Sequence, residues 1–298
     1  MKLRLIAPLL AVLYFAISAS AQYQKQIDPD WLKPFPPFKI AGNLYSVGSA
    51  ELDSYLVATP EGLILINSNL TESVPAIQKN IEKLGYRFSD VKILLISHAH
   101  FDHCAGSALV KKLTGAKYFV MDADVPAVES GGARDFYYAS RQDLHYPPAK
   151  VDRTLHDNDT VKLGGTVLTA HRTGGHTPGT TTWTLDVIDN GRTLHAVIVG
   201  SPSVIPGYKL VHNPTYPQIA EDYKHQFEVL NALPCDLFLG AHGQFFDMEE
   251  KYARLKAGDK AAFIDPAGYK AFVADRKSVF ENELARQQAA PPKSRPLQ

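Results

Sequence analysis

Four side chains of metal-binding type lie within six positions, directly after an apolar stretch. The stretch at 91–96 has the length and composition of a buried strand, so the polar residues begin where a strand ends. His98 and His100 are two positions apart and point the same way on an extended backbone, which lets them bind one ion together. A turn after them would direct Asp102 and His103 towards a second ion. Imidazole with one carboxylate suits Zn²⁺ and leaves room for water, and a solvated, histidine-rich loop is the simpler alternative.

Three later strand ends also lead into polar residues. His176 is preceded by two glycines after a predicted strand at 167–171, and Ser201 and His242 each follow a predicted strand. Side chains at neighbouring strand ends can share one edge of a sheet with the cluster that starts at His98. The remaining histidines lack this setting and are interpreted as structural or surface residues: His145, His156, His171, His195, His212 and His225.

The order of these residues resembles the metallo-β-lactamase superfamily. The pattern H-x-H-x-D-H at 98–103 is followed by His176 in a Gly-His-Thr-Pro-Gly setting and by His242 after a strand, and the likeness covers nearly all of residues 40–285. The resemblance implies an α/β fold, the αββα sandwich, with two pseudo-duplicated halves and the zinc site at one edge of the sheets. The predicted alternation of strands and helices agrees with a layered α/β domain.

The end of the predicted strand at 194–200 separates members of this superfamily. Glyoxalase-like and lactonase-like members carry a metal-bridging aspartate there, and another lactamase subclass carries a cysteine. This chain has Ser201 and Ser203 in a Gly-Ser-Pro-Ser sequence instead. It is therefore similar to the third subclass of class B β-lactamases. Other segments with the same likeness are 206–210, 216–223 and 233–236.

Carried over position by position, the resemblance implies two zinc ions per chain. It assigns His98, His100 and His176 to the first ion, and Asp102, His103 and His242 to the second. Three neutral imidazoles leave an open position for water, whose pKa zinc lowers to about 7. This zinc-bound water is the implied nucleophile, and Asp102 would also orient it.

Three polar residues beyond the ligands are implied to act on solvent and substrate. Ser201 would hydrogen-bond water near the second zinc, and Ser203 would bind the substrate carboxylate. Tyr208 would polarise the carbonyl or the tetrahedral oxyanion. For each of the three, the alternative is a side chain that only caps its loop.

The resemblance implies an enzyme that hydrolyses the amide bond of penicillins, cephalosporins and carbapenems and so gives antibiotic resistance. One alternative is another exported hydrolase of the superfamily, a lactonase or an esterase, and the missing bridging aspartate argues against it. The other is a non-catalytic zinc-binding protein, which the complete ligand set disfavours. Hydrolases of thioesters, lactones, phosphodiesters and β-lactams share the motifs, so substrate assays and zinc-dependent turnover must separate these functions.

Both ends of the chain differ in composition from its body. Residues 1–21 have a basic start, an apolar run and an A-x-A site, the pattern of a cleaved secretory signal, although a membrane anchor is the alternative. The remaining residues, 22–298, are predicted to form a single metallo-β-lactamase domain in the periplasm. Within it we expect an ordered N-terminal extension at 22–39, without regular structure, and a disordered tail at 287–298.

The balance of charge disfavours one class of partner. The chain has 31 basic and 31 acidic residues and no long basic run, so nothing indicates a nucleic-acid partner. After residue 21 no apolar stretch is long enough to cross a bilayer. We expect a monomer that binds a small-molecule β-lactam and does not contact the membrane once the signal is removed.

An aromatic segment at 129–150 interrupts the alternation of strands and helices. It contains Phe136, Tyr137 and Tyr138 and ends in a pair of prolines. Irregular, aromatic segments of this length are often binding loops, and an ordinary surface loop is the alternative. We expect this loop to lie beside the metal site and to contact substrate.

The two cysteines, Cys104 and Cys235, do not form a disulfide framework. In the subclass that the chain resembles, the equivalent of Cys235 is often paired with a cysteine near position 269. Here that position is Tyr269. We therefore predict two free thiols, and a ligand role for Cys104 is the weaker alternative.

Overall fold

Two β-sheets form the centre of the structure, a computed structural model that describes residues 27–290. The first sheet contains seven strands and the second contains five. The first sheet is made of β1 (Phe38–Ala41), β2 (Leu44–Ser46), β3 (Tyr55–Thr59), β4 (Gly62–Ile66), β5 (Val91–Leu95), β6 (Lys117–Met121) and β7 (Arg153–Leu155). The second is made of β8 (Thr160–Leu163), β9 (Thr166–Arg172), β10 (Thr181–Asp189), β11 (Arg192–Val199) and β12 (Leu237–Gly240).

Strand order follows the chain within each sheet. The first sheet runs from β1 to β7, antiparallel as far as β4 and parallel from β4 onwards. The second has the order β12-β11-β10-β9-β8, and its β11–β12 pair is the parallel one. Parallel neighbours require a crossover connection, and the helices in these crossovers cover the sheets from outside.

Helices follow the strands in both halves. They are α1 (Val74–Lys83), α2 (Phe101–Cys104), α3 (Ser107–Thr114), α4 (Val125–Glu129), α5 (Ile219–Ala232), α6 (Met248–Lys256) and α7 (Pro266–Ala289). Short 3₁₀ turns lie at Pro29–Leu32, Thr71–Ser73, Phe88–Asp90, Asp122–Asp124, Gln142–Leu144 and Gly243–Phe245. The start of α7 is well defined, because Pro266 occupies its first turn and the Asp265 carboxylate accepts the Gly268 N–H.

Alternate residues of the central strands face different cores. In β4, Ile64 and Ile66 pack in a cluster with side chains of the second sheet, while Leu63 and Leu65 pack against α1. Side chains of a strand alternate in direction, so a strand covered on both faces is apolar throughout. All four are 2% exposed or less, and burying each contributes about 1.5–3 kcal/mol. The predicted αββα sandwich is confirmed.

Two predicted boundaries differ from the structure. The predicted tail begins too early, because α7 continues to Ala289 and the Gln287 side chain bonds the backbone of Tyr208 and Leu210. The extension predicted to lack regular structure contains the Pro29–Leu32 turn and the first residues of β1. The signal prediction at 1–21 and the end of the tail at 291–298 lie outside the described residues. Within 27–290, no helix combines the length and apolar composition that crossing a bilayer requires.

Candidate metal centre

The carboxyl ends of four strands meet at one edge of the sheets. β5 leads into His98 and His100, β9 into His176, β11 into Ser201 and β12 into His242. β11 and β12 are parallel, and β9 has the same direction because two antiparallel pairings separate it from β11. Strand direction therefore brings His176, Ser201 and His242 to one edge of the second sheet.

Hydrogen bonds tie the two halves together at this edge. The backbone N–H of Thr181, at the start of β10, donates to the Ser97 carbonyl over 2.7 Å. The Tyr55 hydroxyl of the first sheet donates to the Gly240 carbonyl of the second, also over 2.7 Å. Because these groups are buried, the bonds hold the loops of both sheets in one relative position.

The first group of donors consists of three imidazoles. One nitrogen each of His98, His100 and His176 lies within 4.8 Å of the others. The closest approach is 3.1 Å, between His100 Nδ1 and His176 Nε2. The three residues are 1%, 5% and 7% exposed, so the group is almost closed to solvent.

The second group adds a carboxylate. Donor atoms of His98, Asp102 and His103 also lie within 4.8 Å of one another, so His98 is adjacent to both groups. Asp102 and His103 enter the site from α2, so the turn expected after His100 is a short helix. His242 Nε2 lies 3.1 Å from His103 Nε2 and 3.6 Å from the Asp102 carboxylate.

These donors fit metal ions better than they fit one another. His98 Nε2 is buried and makes no hydrogen bond within the described part of the chain. Imidazole nitrogens that approach to 3.1 Å, as in the pairs His100–His176 and His103–His242, are satisfied when they share a cation. Three nitrogens in one group and a mixed nitrogen and carboxylate set in the other match the ligands of Zn²⁺.

The electrostatics favour the deprotonated forms that metal binding requires. Burial lowers the pKa of His98, lowers that of His100 to about 4 and lowers that of His176 to about 3. Burial alone would raise the pKa of Asp102, but the adjacent His103 and the other imidazoles hold it well below its usual range. At neutral pH the imidazoles of His98, His100 and His176 are thus neutral and Asp102 is ionised.

Outer polar groups lie beside three of the imidazoles. His176 Nδ1 lies 2.8 Å from the Ser203 carbonyl, which leaves Nε2 free to face the donor group. His242 Nδ1 lies 3.5 Å from a Glu51 carboxylate oxygen. His100 Nε2 lies 3.6 Å from a carboxylate oxygen of Asp135. Only His176 forms a hydrogen bond here, so the Ser203 carbonyl fixes its tautomer, whereas His242 Nδ1 and His100 Nε2 have no hydrogen-bond partner among residues 27–290.

Two buried side chains, those of Asp124 and Asn67, support the loops that carry the ligands. The Asp124 carboxylate accepts the N–H groups of Ala99 and Gly179 and the Thr177 hydroxyl, over 2.7–2.9 Å. It thereby connects the loop of His98 and His100 to the loop of His176, and burial raises its pKa to about 7. Asn67 accepts the Ser97 N–H over 2.7 Å from a left-handed backbone conformation, φ 66°.

Sequence reasoning missed these supporting residues. Asp135 occurs as a single carboxylate within the aromatic segment, and Glu51 precedes β3 without any ligand-like spacing. Asp124 follows a strand end, as the ligands do, and that position was the one signal that could have identified it. Asn67 also follows a strand, β4.

The two serines lie at the expected end of β11. Ser201 is 2% exposed. Its carbonyl accepts from the Gln226 amide nitrogen when that side chain is oriented so that both its nitrogen and its oxygen face suitable partners. Ser203 is partly exposed, and its carbonyl accepts from the Tyr223 hydroxyl and faces His176. The backbone of Ser203 therefore supports the donor group, separately from the role predicted for its hydroxyl.

The hydroxyl of Tyr208 is bonded to the protein backbone, although a role towards substrate was expected. It is 1% exposed, and its hydroxyl donates to the His176 carbonyl over 2.8 Å. A hydroxyl committed to a buried backbone acceptor is not available to polarise a substrate carbonyl, so this structure does not support that prediction. The position of Tyr208 instead indicates that it holds the loop of His176 in place.

The aromatic loop at 129–150 lies beside the donors. The Tyr138 ring centroid is 5.1 Å from that of His100. The Tyr137 ring packs edge-to-face against Tyr208, with the ring centroids 4.7 Å apart, and the Tyr137 hydroxyl donates to the Pro206 carbonyl. The loop thus contacts the segment after β11, and the side chains of Tyr137 and Tyr138 form an aromatic wall next to the metal centre.

Both cysteines are free thiols, as predicted. Cys104 is buried directly after His103, and burial raises its pKa well above the usual value. Tyr269 is also buried, and its hydroxyl donates to the Leu230 carbonyl.

Comparison with known proteins gives consistent results. The family model described as "Metallo-beta-lactamase superfamily" matches residues 52–242. The native FEZ-1 metallo-beta-lactamase from Legionella gormanii is 55% identical, with a TM-score of 0.86 over 87% of this chain and 98% of that protein. BJP-1, a subclass B3 metallo-beta-lactamase of Bradyrhizobium japonicum, is 37% identical, with a TM-score of 0.81 over 88% and 98% of the two chains.

Similarity to curated proteins is more distant. A hydroxyacylglutathione hydrolase of Methylobacterium nodulans is 28% identical over 42% of this chain, and the match spans 44% of that relative. The chain thus covers less than half of this curated relative, whereas it covers nearly all of both solved structures. The extent of the family match and the identity to the solved structures show that this protein belongs to the metallo-beta-lactamase superfamily and that its structural relatives include a subclass B3 enzyme.

Proposed function

We propose that the protein is a zinc-dependent β-lactamase that hydrolyses the amide bond of penicillins, cephalosporins and carbapenems, and so confers resistance to these antibiotics. The observation that carries the proposal is the convergence of six donors into two adjacent groups at one sheet edge. The likeness to FEZ-1 and BJP-1 over most of their length supports the same substrate class.

Six residues would hold two zinc ions. His98, His100 and His176 would bind the first, and Asp102, His103 and His242 the second. When bound, the ions would lower the pKa of water to about 7 and stabilise negative charge on the substrate. His98 lies beside both groups and is assigned to the first ion, as the family resemblance implies.

The chain's own groups would orient the reactants. The ionised Asp102 carboxylate would accept a hydrogen bond from the attacking water and fix its direction, in addition to its role as a ligand. Ser201 would hydrogen-bond solvent at the second zinc, and the partly exposed Ser203 would donate to the substrate carboxylate. The aromatic wall around Tyr138 would contact the apolar substituents of the lactam. Tyr208 would act by positioning the loop of His176.

Export and assembly form a separate part of the proposal. Residues 1–21 would direct export to the periplasm and be removed, and the rest of the chain would work as a single-domain monomer. N-terminal sequencing of the exported protein should then begin at Gln22, and its sedimentation should give the mass of one chain. Retention of the first 21 residues or a stable dimer would contradict this part alone.

One experiment tests the activity. Initial rates should be measured for a penicillin, a cephalosporin, a carbapenem and a monobactam, beside a thioester and a panel of lactones. We expect the β-lactams to be hydrolysed, turnover to stop with a chelator and to return with Zn²⁺. Preferred hydrolysis of the thioester or a lactone would replace the proposed substrate class, and a covalent adduct on any serine would refute the mechanism.

A further inference from the structure

Asp135 contacts both the aromatic loop and the metal centre. Its side chain is 4% exposed. One carboxylate oxygen, Oδ1, accepts the backbone N–H groups of Tyr137 and Tyr138, over 2.7 and 2.5 Å. The other, Oδ2, lies 3.6 Å from His100 Nε2. A buried carboxylate between a loop backbone and a histidine ring therefore connects two elements that the sequence separates.

The ring of His100 is oriented by what lies on its two sides. Nδ1 faces the donor group, 3.1 Å from His176 Nε2. Nε2 is buried and has no hydrogen-bond partner among residues 27–290, although Asp135 Oδ2 is just beyond hydrogen-bond distance. A small cavity bordered by His100, Asp135 and Tyr138 leaves room for the shift of roughly 0.5 Å that would complete the bond.

A hydrogen bond at this position would decide which nitrogen carries the proton. A neutral imidazole has one N–H, and a carboxylate can only accept. If Nε2 donates to Asp135, the Nδ1 lone pair is directed at the donor group, which is the form a metal requires. The opposite tautomer would place a proton on Nδ1, facing His176 at 3.1 Å, and would block metal binding there.

We propose that Asp135 is a positioning residue that holds His100 in the Nε2–H tautomer and thereby couples the aromatic loop to zinc affinity. The inference rests on the proposed zinc centre. The coupling arises because the same carboxylate holds the backbone of Tyr137 and Tyr138, whose side chains form the aromatic wall. A displacement of this loop would change the orientation of one zinc ligand.

The variant Asp135→Asn tests this directly. Its amide oxygen can still accept the N–H groups of the loop, but its NH₂ group would face His100 Nε2 and favour the Nδ1–H tautomer. We expect the affinity for one of the two zinc ions to fall about tenfold to a hundredfold, as for other outer carboxylates, and the other to remain. Competition with a chromophoric chelator measures both affinities.

The matched control is Asp143→Asn in the same loop. Asp143 forms an ion pair with Arg141 at the surface, and its loss should leave both zinc affinities unchanged. Near-UV circular dichroism and thermal unfolding should show that both variants fold. Unchanged affinity for both ions in folded Asp135→Asn, or an equal loss in Asp143→Asn, would overturn the proposal.

A second measurement does not depend on zinc, and its wild-type result does not depend on a variant. In the metal-free protein, ¹⁵N–¹H spectra of the histidine rings should show the His100 proton on Nε2 in the wild type and on Nδ1 in Asp135→Asn. A wild-type proton on Nδ1 would overturn the inference even if Asp135→Asn fails to fold. Failure of the wild type to bind zinc would instead refute the proposed function, and the tautomer would still report on the contact between Asp135 and His100.

Discussion

The two donor groups at the sheet edge use different physical means to attract a cation. The group of His98, His100 and His176 is neutral and nearly closed to solvent, with all three residues 7% exposed or less. The group of Asp102, His103 and His242 contains an ionised carboxylate, and the His242 side chain is 15% exposed. In the first group burial prevents competition from protons, whereas in the second the carboxylate supplies the attraction.

The outer partners of the two groups differ in the same way. Asp135, beside His100, is 4% exposed and is fixed by two backbone N–H groups. Glu51, beside His242, is 23% exposed, and its carboxylate also accepts from the Gln244 amide. A buried, fixed acceptor should control the geometry of a ligand more strongly than one that solvent can replace. The difference indicates that the neutral group depends on its surroundings and the charged group on its own ligand.

The largest effect should follow from Asp102→Asn, which removes the charge of the second group. A metal contributes several kcal/mol to stabilising the transition state, so kcat/KM should fall about a hundredfold or more. Metal analysis should find one zinc fewer per chain. Asp90→Asn, which removes only a surface pair with Arg87, is the control. Full zinc content with an unchanged rate would refute the role of the carboxylate.

The next largest effect should be the pH dependence of zinc binding at the first group. The pKa values of His100 and His176, about 4 and 3, are below the ordinary 6.5, so at pH 6 both rings are already neutral in the metal-free fold. Their zinc uptake should release almost no protons, and their affinity should fall only as the pH drops through about 4, up to tenfold per pH unit for each ring. Calorimetry in buffers of different ionisation enthalpy measures the release. Close to one proton per imidazole at pH 6 would contradict this prediction.

Ser203→Ala should have a smaller effect, confined to substrate binding. A hydrogen bond to a charged group contributes about 1.5–3 kcal/mol, so KM should rise roughly tenfold to a hundredfold with kcat little changed. The backbone carbonyl that faces His176 is retained, so zinc affinity should not change. Ser201→Ala is the comparison, and it should act mildly on kcat or zinc affinity because water can replace the hydroxyl. An unchanged KM for every carboxylate-bearing β-lactam would place the carboxylate pocket elsewhere.

The smallest effect should come from Glu51→Gln. Because Glu51 is partly exposed, its loss should weaken zinc binding at the second group by about tenfold at most, the lower limit for outer carboxylates. Chelator competition on Glu51→Gln and Asp135→Asn, measured side by side, tests the comparison. A larger loss for Glu51→Gln would reverse the proposed dependence of the two groups.

Much of the site could be predicted from the sequence because its signals are local. His98 and His100 share a direction through their spacing alone, and the turn expected after them is the short helix α2, which carries Asp102 and His103. The apolar runs before His98, Ser201 and His242 identified strands whose ends carry polar residues. The two free thiols and the α/β sandwich followed from composition and from the likeness to a family.

Only the tertiary structure decided which groups surround the ligands. Asp135, Glu51 and Asp124 reach the donors across long chain separations, and no periodicity in the sequence records such contacts. The hydroxyl of Tyr208 donates to a backbone carbonyl, although the family resemblance implied a role towards substrate. Gln287 remains in α7 because its amide bonds the loop at Tyr208, an interaction that the composition of the tail does not reveal. Spacing along the chain determines which side chains a local element can present, whereas the packing of distant elements determines what each polar atom faces.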